Sequence, residues 1–401
     1  MTAHTIHEKP YNSLIYVLAL YMLIWPIVAT LAHHSPPLDV IEGYVWGLNP
    51  QWGYYKHPPL PAWITSAAIN IFGKHVYILM LLGPVSILVS LVAVGWLAKE
   101  FLSVKAAVVA IFITTTSLYF NFLISEFNHN VVQIPLWASA LALFWACINY
   151  GRYRHFVLLG IVLGLCFLAK YSAVILYAFI LLTLITNKRA RVHVTTGKFL
   201  VCALMLLTII SPNIYWLIQS DFQSLNYLGA RLGQKLDWLG RVQSGIEFIL
   251  AQLLANAVVL FLGIKLWRAH KNGVVKNYNW DEKTKFLLAS FTVPIALGIM
   301  VTLITGHPLR DMWAMMMFTT LGLGIASLAP KYFERFYSKK WLIIWVVFQA
   351  FALLAYVGKT QLTPYVKGRI SRATFPGPEL AKVVEEDWNA TTQGLPLRYV
   401  V

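Results

Sequence analysis

The sequence predicts an all-α polytopic membrane protein with about eleven transmembrane helices. Of the 401 residues, 58% are hydrophobic and only 12% are charged, whereas a soluble domain is usually about 25% charged. The mean hydropathy is +0.64. The apolar residues also fall into separate runs, most of them near the ~20 residues that a bilayer crossing requires.

The first predicted span covers residues 13–32. A cleavable signal peptide is the alternative, but Trp25 and Pro26 interrupt the run and the small-residue cleavage pattern is poor. Residues 60–72 are apolar but too short to cross, which predicts an interfacial or re-entrant helix. Further spans are predicted at 76–98, 104–122, 131–149, 155–169, 172–187, 198–218, 244–267, 285–305, 312–329 and 341–358.

The net charge of +16 indicates basic cytoplasmic loops and affinity for anionic membrane lipids, rather than a nucleic-acid partner. If the N-terminus is cytoplasmic, every connector on that side is net basic. These connectors are residues 98–105, 149–155, 186–198, 267–285 and 330–340. The positive-inside rule therefore predicts that loop 33–75 and the C-terminus face outward.

This topology divides the chain into a transmembrane domain, 1–358, and a short periplasmic segment, 359–401. The segment contains a predicted helix after Pro378 and an apparent strand at 397–401. A single strand cannot pair alone, which leaves either a truncated segment or a partner outside it. Residues 219–243 have leucines at helical spacing and interleaved charges, which predicts an amphipathic helix lying along the outer surface.

The most polar stretch follows the first span, from Leu38 to Trp63. Asp39 and Glu42 are three residues apart, so a helix would place both carboxylates on one face. Two adjacent carboxylates either raise each other's cost of ionisation or share a cation. An interfacial helix carrying ordinary solvated acids is the alternative.

A stiff turn follows within the same loop, because Pro58 and Pro59 fix the backbone. It presents Lys56 as a candidate phosphate ligand, and it places Tyr55 and His57 in the predicted substrate pocket. A lysine snorkelling to the interface from a structural turn is the alternative for Lys56.

Three further outward turns carry polar residues. Glu126, Asn128 and His129 separate two apolar spans and are expected to line a cavity, although a solvated turn is the alternative. Lys170 lies between two short apolar runs, so it is either at the outer surface or inside one kinked helix. Arg310 suits bidentate phosphate binding, and a local pair with the adjacent acid is the alternative.

Together these groups suit a substrate with an anionic head and a lipid tail. A carboxylate would act as base toward an acceptor hydroxyl, while Lys56, Lys170 and Arg310 would stabilise a departing phosphate. Asp39, Glu42 and His57 are also competent ligands for a divalent metal ion. Their spacing does not establish such a site.

The loop sequence GYYKHPPLPAW, residues 53–63, resembles the first outward loop of membrane glycosyltransferases of the GT-C fold. It is most similar to the family 39 type, which includes protein O-mannosyltransferases and the enzymes that transfer aminoarabinose to lipid A. The segments NHNVVQIPLWA, LAKYSA and RDMWAM are also similar to bacterial members.

The resemblance implies an inverting enzyme that takes a sugar from a polyprenyl-phosphate carrier on the periplasmic side of the bacterial inner membrane. The acceptor is a lipid, a glycan or a protein. Asp39 matches the position of the base, and Lys56 and Arg310 match the phosphate-binding positions. Many relatives carry an adjacent Asp-Glu pair, so the separation of Asp39 from Glu42 leaves their division of labour open.

A transporter or lipid flippase is the competing class, because it would also be polytopic and basic. Such proteins place ionisable groups near the midplane, often within inverted repeats. This sequence shows no internal repeat, and its polar groups gather on one side. Both observations favour the enzyme.

Overall fold

The computed structural model describes residues 9–233, 235–392 and 395. Within these ranges the chain is helical and contains no β-strand, which confirms the predicted all-α class. The predicted strand at 397–401 lies outside the described residues. The α-helices are α1 Lys9–Ala32, α2 Leu38–Gly47, α3 Leu60–Phe72, α4 Val76–Phe101, α5 Val104–Thr114, α6 His129–Tyr150, α7 Tyr153–Ala169, α8 Val174–Thr186, α9 Thr196–Gln219, α10 Gln223–Leu232, α11 Trp238–Ala255, α12 Ala257–Lys271, α13 Glu282–Thr305, α14 Leu321–Leu328, α15 Pro330–Glu334, α16 Lys339–Lys367 and α17 Gly377–Thr392.

The helices are those of a multi-pass membrane protein. Six helical segments are long and apolar enough to cross a bilayer, and α11 with α12 adds a seventh if this pair, bent by 80°, is one span. Shorter apolar helices are also present in the described ranges, among them α3, α5 and α7. The predicted number of about eleven spans is compatible with this set.

Four predicted segments have clearly different bounds in the structure. The span at 104–122 ends at Thr114, and a 3₁₀ turn, Leu118–Phe120, follows. The hydroxyls of Thr114, Thr115 and Thr116 donate to carbonyls of the last helical turns. Side-chain bonds of this kind compete with the helix ladder, which explains why an apolar run of spanning length does not continue as one helix.

The span at 244–267 is broken at Asn256, whose side chain donates to the Gln252 carbonyl at 2.9 Å. The amphipathic helix predicted over 219–243 is also two helices, because Gly233 has φ +68° and ends α10. At the C-terminus, α16 continues past the predicted boundary at 358 to Lys367. The helix predicted after Pro378 is present as α17.

Helix α6 lies at the centre of the bundle, and 72% of its apolar 18-residue stretch is buried. Helices α7 and α9 pack closely beside it, because Gly160 and Gly164 remove the side chains between them. A Cβ at Gly160 would lie 2.3 Å from the Cys202 carbonyl oxygen, and one at Gly164 would lie 2.6 Å from Ile209 Cβ. The Gly-x-x-x-Gly spacing therefore serves helix packing here.

The connectors that were predicted to lie on the same side of the membrane contact one another. At one end, Tyr150 donates to Glu100 at 2.5 Å, Lys283 to the Glu100 carbonyl at 2.7 Å, and Ser103 to Glu334 at 2.6 Å. The loops predicted to face outward meet at the other end, where they build the site described below. The predicted alternation of the connectors is consistent with these contacts.

The C-terminal segment packs onto the linker that precedes α2. His34 pairs with Glu379 at 2.8 Å, and Ser35 Oγ donates to the Phe375 carbonyl at 2.8 Å. The backbone N–H of His34 also donates to the Ala373 carbonyl at 2.7 Å. These bonds fix the start of α2, which carries Asp39.

Candidate functional site

The loop between α1 and α3, which contains α2, is stiffened by its own aromatic residues. Trp46 and Tyr54 stack with ring centroids 4.7 Å apart and planes 5° apart. The Tyr54 hydroxyl donates to the Trp46 carbonyl at 2.9 Å, and Trp63 Nε1 donates to the Gln51 carbonyl at 2.7 Å. Bonds at both ends of the loop therefore hold the turn at residues 54–59 against α2 and α3.

Helices α9 and α10 close over the loop from the other side. Asn213 donates to the Trp52 carbonyl and Ser224 to the Tyr54 carbonyl, each at 2.6 Å. A Cβ at Gly53 would come within 2.2 Å of the Trp216 ring, so only glycine allows this approach. Helix α10, predicted to lie on the outer surface, therefore also forms a wall of the site.

Glu42 on α2 forms an ion pair with Lys56 of the Pro-rich turn. The Lys56 ammonium also lies 5.2 Å from the Tyr55 ring centroid and 5.8 Å from that of Tyr227 on α10. Burial disfavours the charge of Lys56, but the bonds to Glu42 and Tyr55 outweigh this effect and raise its pKa. Burial raises the pKa of Glu42 despite the neighbouring lysine. The pair fastens α2 to the turn.

Asp39 lies in the first turn of α2 and is exposed. Glu126, which is half-buried, is its neighbour from the loop before α6. The pKa of Glu126 is raised by burial and by the charge of Asp39, while Arg372 and Lys359 of the C-terminal region lower it. The carboxylates of Asp39 and Glu126 thus lie near two cations of the C-terminal region, Lys359 and Arg372.

His57 and His129 form the floor of the site, with ring centroids 3.9 Å apart. Burial, together with the smaller effect of the positive charges of Lys170 and Lys56, lowers the pKa of His57 to about 3. His57 is therefore neutral at physiological pH. His129 Nε2 is buried and has no hydrogen-bond partner in the described part of the chain.

Lys170 lies in a turn between two helices. The Tyr177 hydroxyl donates to the Leu163 carbonyl at 2.6 Å, although 14 residues of continuous helix would separate them by about 21 Å. The chain therefore turns back at Lys170, and the alternative of one kinked helix is wrong. Lys170 Nζ donates to Asn130 Oδ1 at 2.5 Å and lies 5.1 Å from the Trp313 ring centroid.

Neutral partners surround this lysine. Loss of water lowers the pKa of Lys170 to about 7, and the charge of Asp39 opposes the shift only in part. Among the described residues, Lys56 has a carboxylate within ion-pair distance but Lys170 has none. Below about pH 7, Lys170 thus carries a positive charge without a carboxylate partner among the described residues, and an anionic ligand could pair with it.

Two predicted site residues, Asn128 and Arg310, have surroundings that differ from those of the lysines and carboxylates above. The Asn128 carboxamide oxygen caps α6 by accepting from the backbone N–H groups of Asn130 and Val131 at 2.9 and 3.2 Å. Arg310 is exposed, directly before the 3₁₀ segment Asp311–Thr320 that carries Trp313. The local pair of Arg310 with Asp311 is not among the ion pairs of the described residues.

Sequence reasoning assigned no role in the site to Trp46, Tyr227 or Trp313. The Trp46 ring stacks on Tyr54 within the same aromatic-rich loop, so the sequence could have indicated its role. Tyr227 and Trp313 contact Lys56 and Lys170 from distant parts of the chain. Trp313 lies in the segment RDMWAM that resembles bacterial members, whereas Tyr227 had no local signal.

The described residues contain no group of three or more His, Cys, Asp or Glu side chains arranged to hold a metal ion. Glu42 is paired with Lys56, and His57 stacks on His129. Asp39, Glu42 and His57 therefore do not form the ligand set that was considered from their chemistry.

Comparison with known proteins adds a partial family match and the fold. The profile of the dolichyl-phosphate-mannose-protein mannosyltransferase family matches residues 56–216. The structure of ArnT from Cupriavidus metallidurans bound to undecaprenyl phosphate superposes with a TM-score of 0.63 at 14% identity, over 92% of this chain and 68% of ArnT. The chain has the GT-C fold. The resemblance seen in its first loop is confirmed.

Two relatives of this GT-C chain come from Rhizobium johnstonii. The lipid A galacturonosyltransferase RgtD is 22% identical over 274 residues, which are 66% of this chain and 55% of RgtD. The lipopolysaccharide core galacturonosyltransferase RgtB is 22% identical over 326 residues, 77% of this chain and 63% of RgtB. This chain thus spans less than two thirds of either relative.

Proposed function

We propose that this protein is an inverting glycosyltransferase that moves a sugar from a polyprenyl-phosphate carrier to a lipid acceptor. The observation that carries the proposal is the gathering of Asp39, Glu126, Lys56 and Lys170 at one end of the bundle. Carboxylates and cations meet there beside apolar helices, as a substrate with an anionic head and a lipid tail requires. The match to the mannosyltransferase family supports the same reaction type.

In the proposed reaction, Asp39 accepts the proton of the acceptor hydroxyl as its oxygen attacks the anomeric carbon. The bond from that carbon to the phosphate oxygen breaks, and the configuration inverts. The negative charge that develops on the leaving phosphate is stabilised by the Lys170 ammonium, while Arg310 borders the same region. Neutral His57 and His129 form the floor beneath the reacting atoms.

Glu42 and Lys56 have a positioning role in this proposal. Their ion pair holds α2 against the Pro-rich turn, and so fixes Asp39 relative to Lys170. Glu126 lies beside Asp39, whose charge raises the pKa of Glu126. In this proposal Asp39 is the base and Glu42 is a positioning residue.

Charge and the relatives support a proposal for the side and the acceptor. The basic connectors at the opposite end favour a cytoplasmic N-terminus, and we propose that the site faces the periplasm from the inner membrane. The names of RgtD and RgtB favour lipid A or a lipopolysaccharide core as acceptor. We assign catalysis to residues 1–358 and no separate activity to 359–401.

Asp39→Asn tests the proposal directly. In membranes supplied with a labelled polyprenyl-phosphate sugar and lipid A, we expect transfer to fall about 100- to 10,000-fold, the usual contribution of a general base, with donor binding retained. Glu247→Gln is the matched control, because Glu247 is exposed and contacts Gln243 at 2.8 Å on α11. Unchanged transfer by Asp39→Asn would refute the role of this carboxylate. If the wild-type protein moved the donor across the vesicle membrane without transferring the sugar, a flippase would be favoured.

A further inference from the structure

A second candidate site lies at the opposite end of the bundle. Helices α6, α7, α8 and α9 enclose a lateral cleft of about 210 Å³ that is open on one side. The cleft is apolar, and representative lining residues are Phe144, Phe156, Leu181, Cys202 and Ala203. Since Phe144 is 15 residues from His129 along α6, the cleft is about 22 Å below the polar site.

The cleft ends against two basic connectors. Val194 of the connector 187–195 is itself part of the wall. Lys198 Nζ lies 5.9 Å from the ring centroid of Phe156, another wall residue, and 5.7 Å from that of Tyr153. It also donates to the His193 carbonyl at 3.1 Å. The apolar space and the lysine are therefore parts of one site.

Five further cations, all exposed, lie on the same two connectors and none of them forms an ion pair within the described ranges. Two carboxylates contact these connectors: Glu100 accepts a hydrogen bond from Tyr150, and Glu282 accepts one from Asn187. Glu282 is shared with Lys285 at 3.3 Å. A net positive rim thus remains. The five cations are Arg152, Arg154, Lys188, Arg189 and Arg191.

We propose that this cleft binds an anionic glycerophospholipid, with an acyl chain between α7, α8 and α9 and the phosphate near Lys198. A cationic rim above an apolar cleft between helices is complementary to such a lipid. The tail of the polyprenyl donor is a poorer fit, because its phosphate would lie at the other end and bring no anion to the rim. The site is separate from the proposed catalysis and does not depend on it.

The test is lipid retention by the purified full chain, measured by native mass spectrometry. Dioleoylphosphatidylglycerol and dioleoylphosphatidylcholine, which share their chains, are offered at equal concentration. We expect about fivefold preferential retention of phosphatidylglycerol, the factor expected for one lysine near an anionic headgroup. Lys198→Ala should lower the preference, because the other rim cations remain, and Ala203→Phe should lower retention by filling the cleft.

Lys271→Ala is the matched control, because Lys271 lies over Trp267 at 5.6 Å on a different connector, and it should keep the preference. Equal retention of the two lipids, or an unchanged preference in Lys198→Ala, would overturn the proposal. So would displacement of phosphatidylglycerol by equimolar undecaprenyl phosphate. If thermal melting shows that Ala203→Phe does not fold, Ala203→Leu replaces it, and Lys198→Ala remains decisive.

Discussion

Lys56 and Lys170 lie at the same end of the helix bundle, but their surroundings are opposite. Lys56 is paired with Glu42 and lies near the rings of Tyr55 and Tyr227. Lys170 is held by the neutral side chain of Asn130 and lies over Trp313. Accordingly, the pKa of Lys56 is raised by its partners, whereas that of Lys170 is lowered by burial to about 7.

The difference indicates that the charge of Lys56 has a structural role, whereas that of Lys170 is available to a ligand. A lysine that is already paired with a carboxylate is stabilised little by a second anion. A poorly solvated lysine with neutral partners forms a strong interaction with an anion. The sequence favoured Lys56 as the phosphate ligand. From the contacts we infer that Lys170 binds the phosphate and that Lys56 holds the loop in place.

Lys170→Ala should have the largest effect on donor binding. We expect the Kd for a polyprenyl-phosphate sugar to rise about 10- to 100-fold, the range for losing a hydrogen bond to a charged group. Lys235→Ala, at an exposed lysine of the loop between α10 and α11, is the control and should be neutral. A greater loss in Lys56→Ala than in Lys170→Ala, measured by equilibrium binding, would reverse the assignment.

Lys56→Met should reduce folding stability more than donor affinity. The Lys56 and Glu42 side chains are 21% and 19% exposed, so losing one partner leaves a poorly solvated charge. We expect the free energy of unfolding to fall by about 1–3 kcal/mol, below the range for a fully buried pair because of the remaining solvent screening.

Chemical denaturation in detergent measures this loss. Adding Glu42→Gln to Lys56→Met should restore part of it, because the double variant leaves no unpaired charge. A double variant whose loss of stability relative to the wild type equals the sum of the two single losses would mean that the two side chains do not interact.

Donor affinity should also depend on pH through Lys170. Since its pKa in the free protein is about 7, its charge is present below that pH and is lost as the pH rises. A sugar phosphodiester keeps its negative charge in this range, so affinity should fall up to tenfold per pH unit above about 7. Lys170→Arg keeps its charge and should show a flat profile between pH 6 and 9. An equal decline in both proteins would exclude Lys170 as the titrating group.

Much of the fold could be predicted from local sequence patterns. Apolar runs gave the membrane class, and the helix predicted at 60–72 has the bounds of α3. The breaks at Asn256 and Gly233 were missed. Both depend on a single residue inside a favourable pattern: a side-chain bond to the backbone at Asn256 and a positive φ at Gly233. Hydrophobic periodicity does not register either feature.

The site was less predictable, because its partners come from distant parts of the chain. The density of ionisable groups in an apolar sequence singled out the loop with Asp39 and Lys56, and the structure brings Lys170 to the same end of the bundle. It could not show that Glu42 takes Lys56 as its partner, or that Asn130 and Trp313 surround Lys170. Those pairings depend on how α6 and the segment at Asp311–Thr320 pack together, which only the tertiary structure determines.

Tyr227→Leu should have the smallest effect, and it tests whether α10 contributes to holding Lys56. The substitution removes the ring beside the ammonium but leaves an apolar side chain against Tyr55, whose ring centroid is 5.4 Å away. A cation–π contact at an accessible site contributes about 0.5–1 kcal/mol, so transfer should slow about two- to fivefold with unchanged donor affinity. Tyr215→Leu, at an exposed tyrosine of α9, should have no effect. A rise in donor Kd with Tyr227→Leu that matched Lys170→Ala would instead give α10 a direct role at the phosphate.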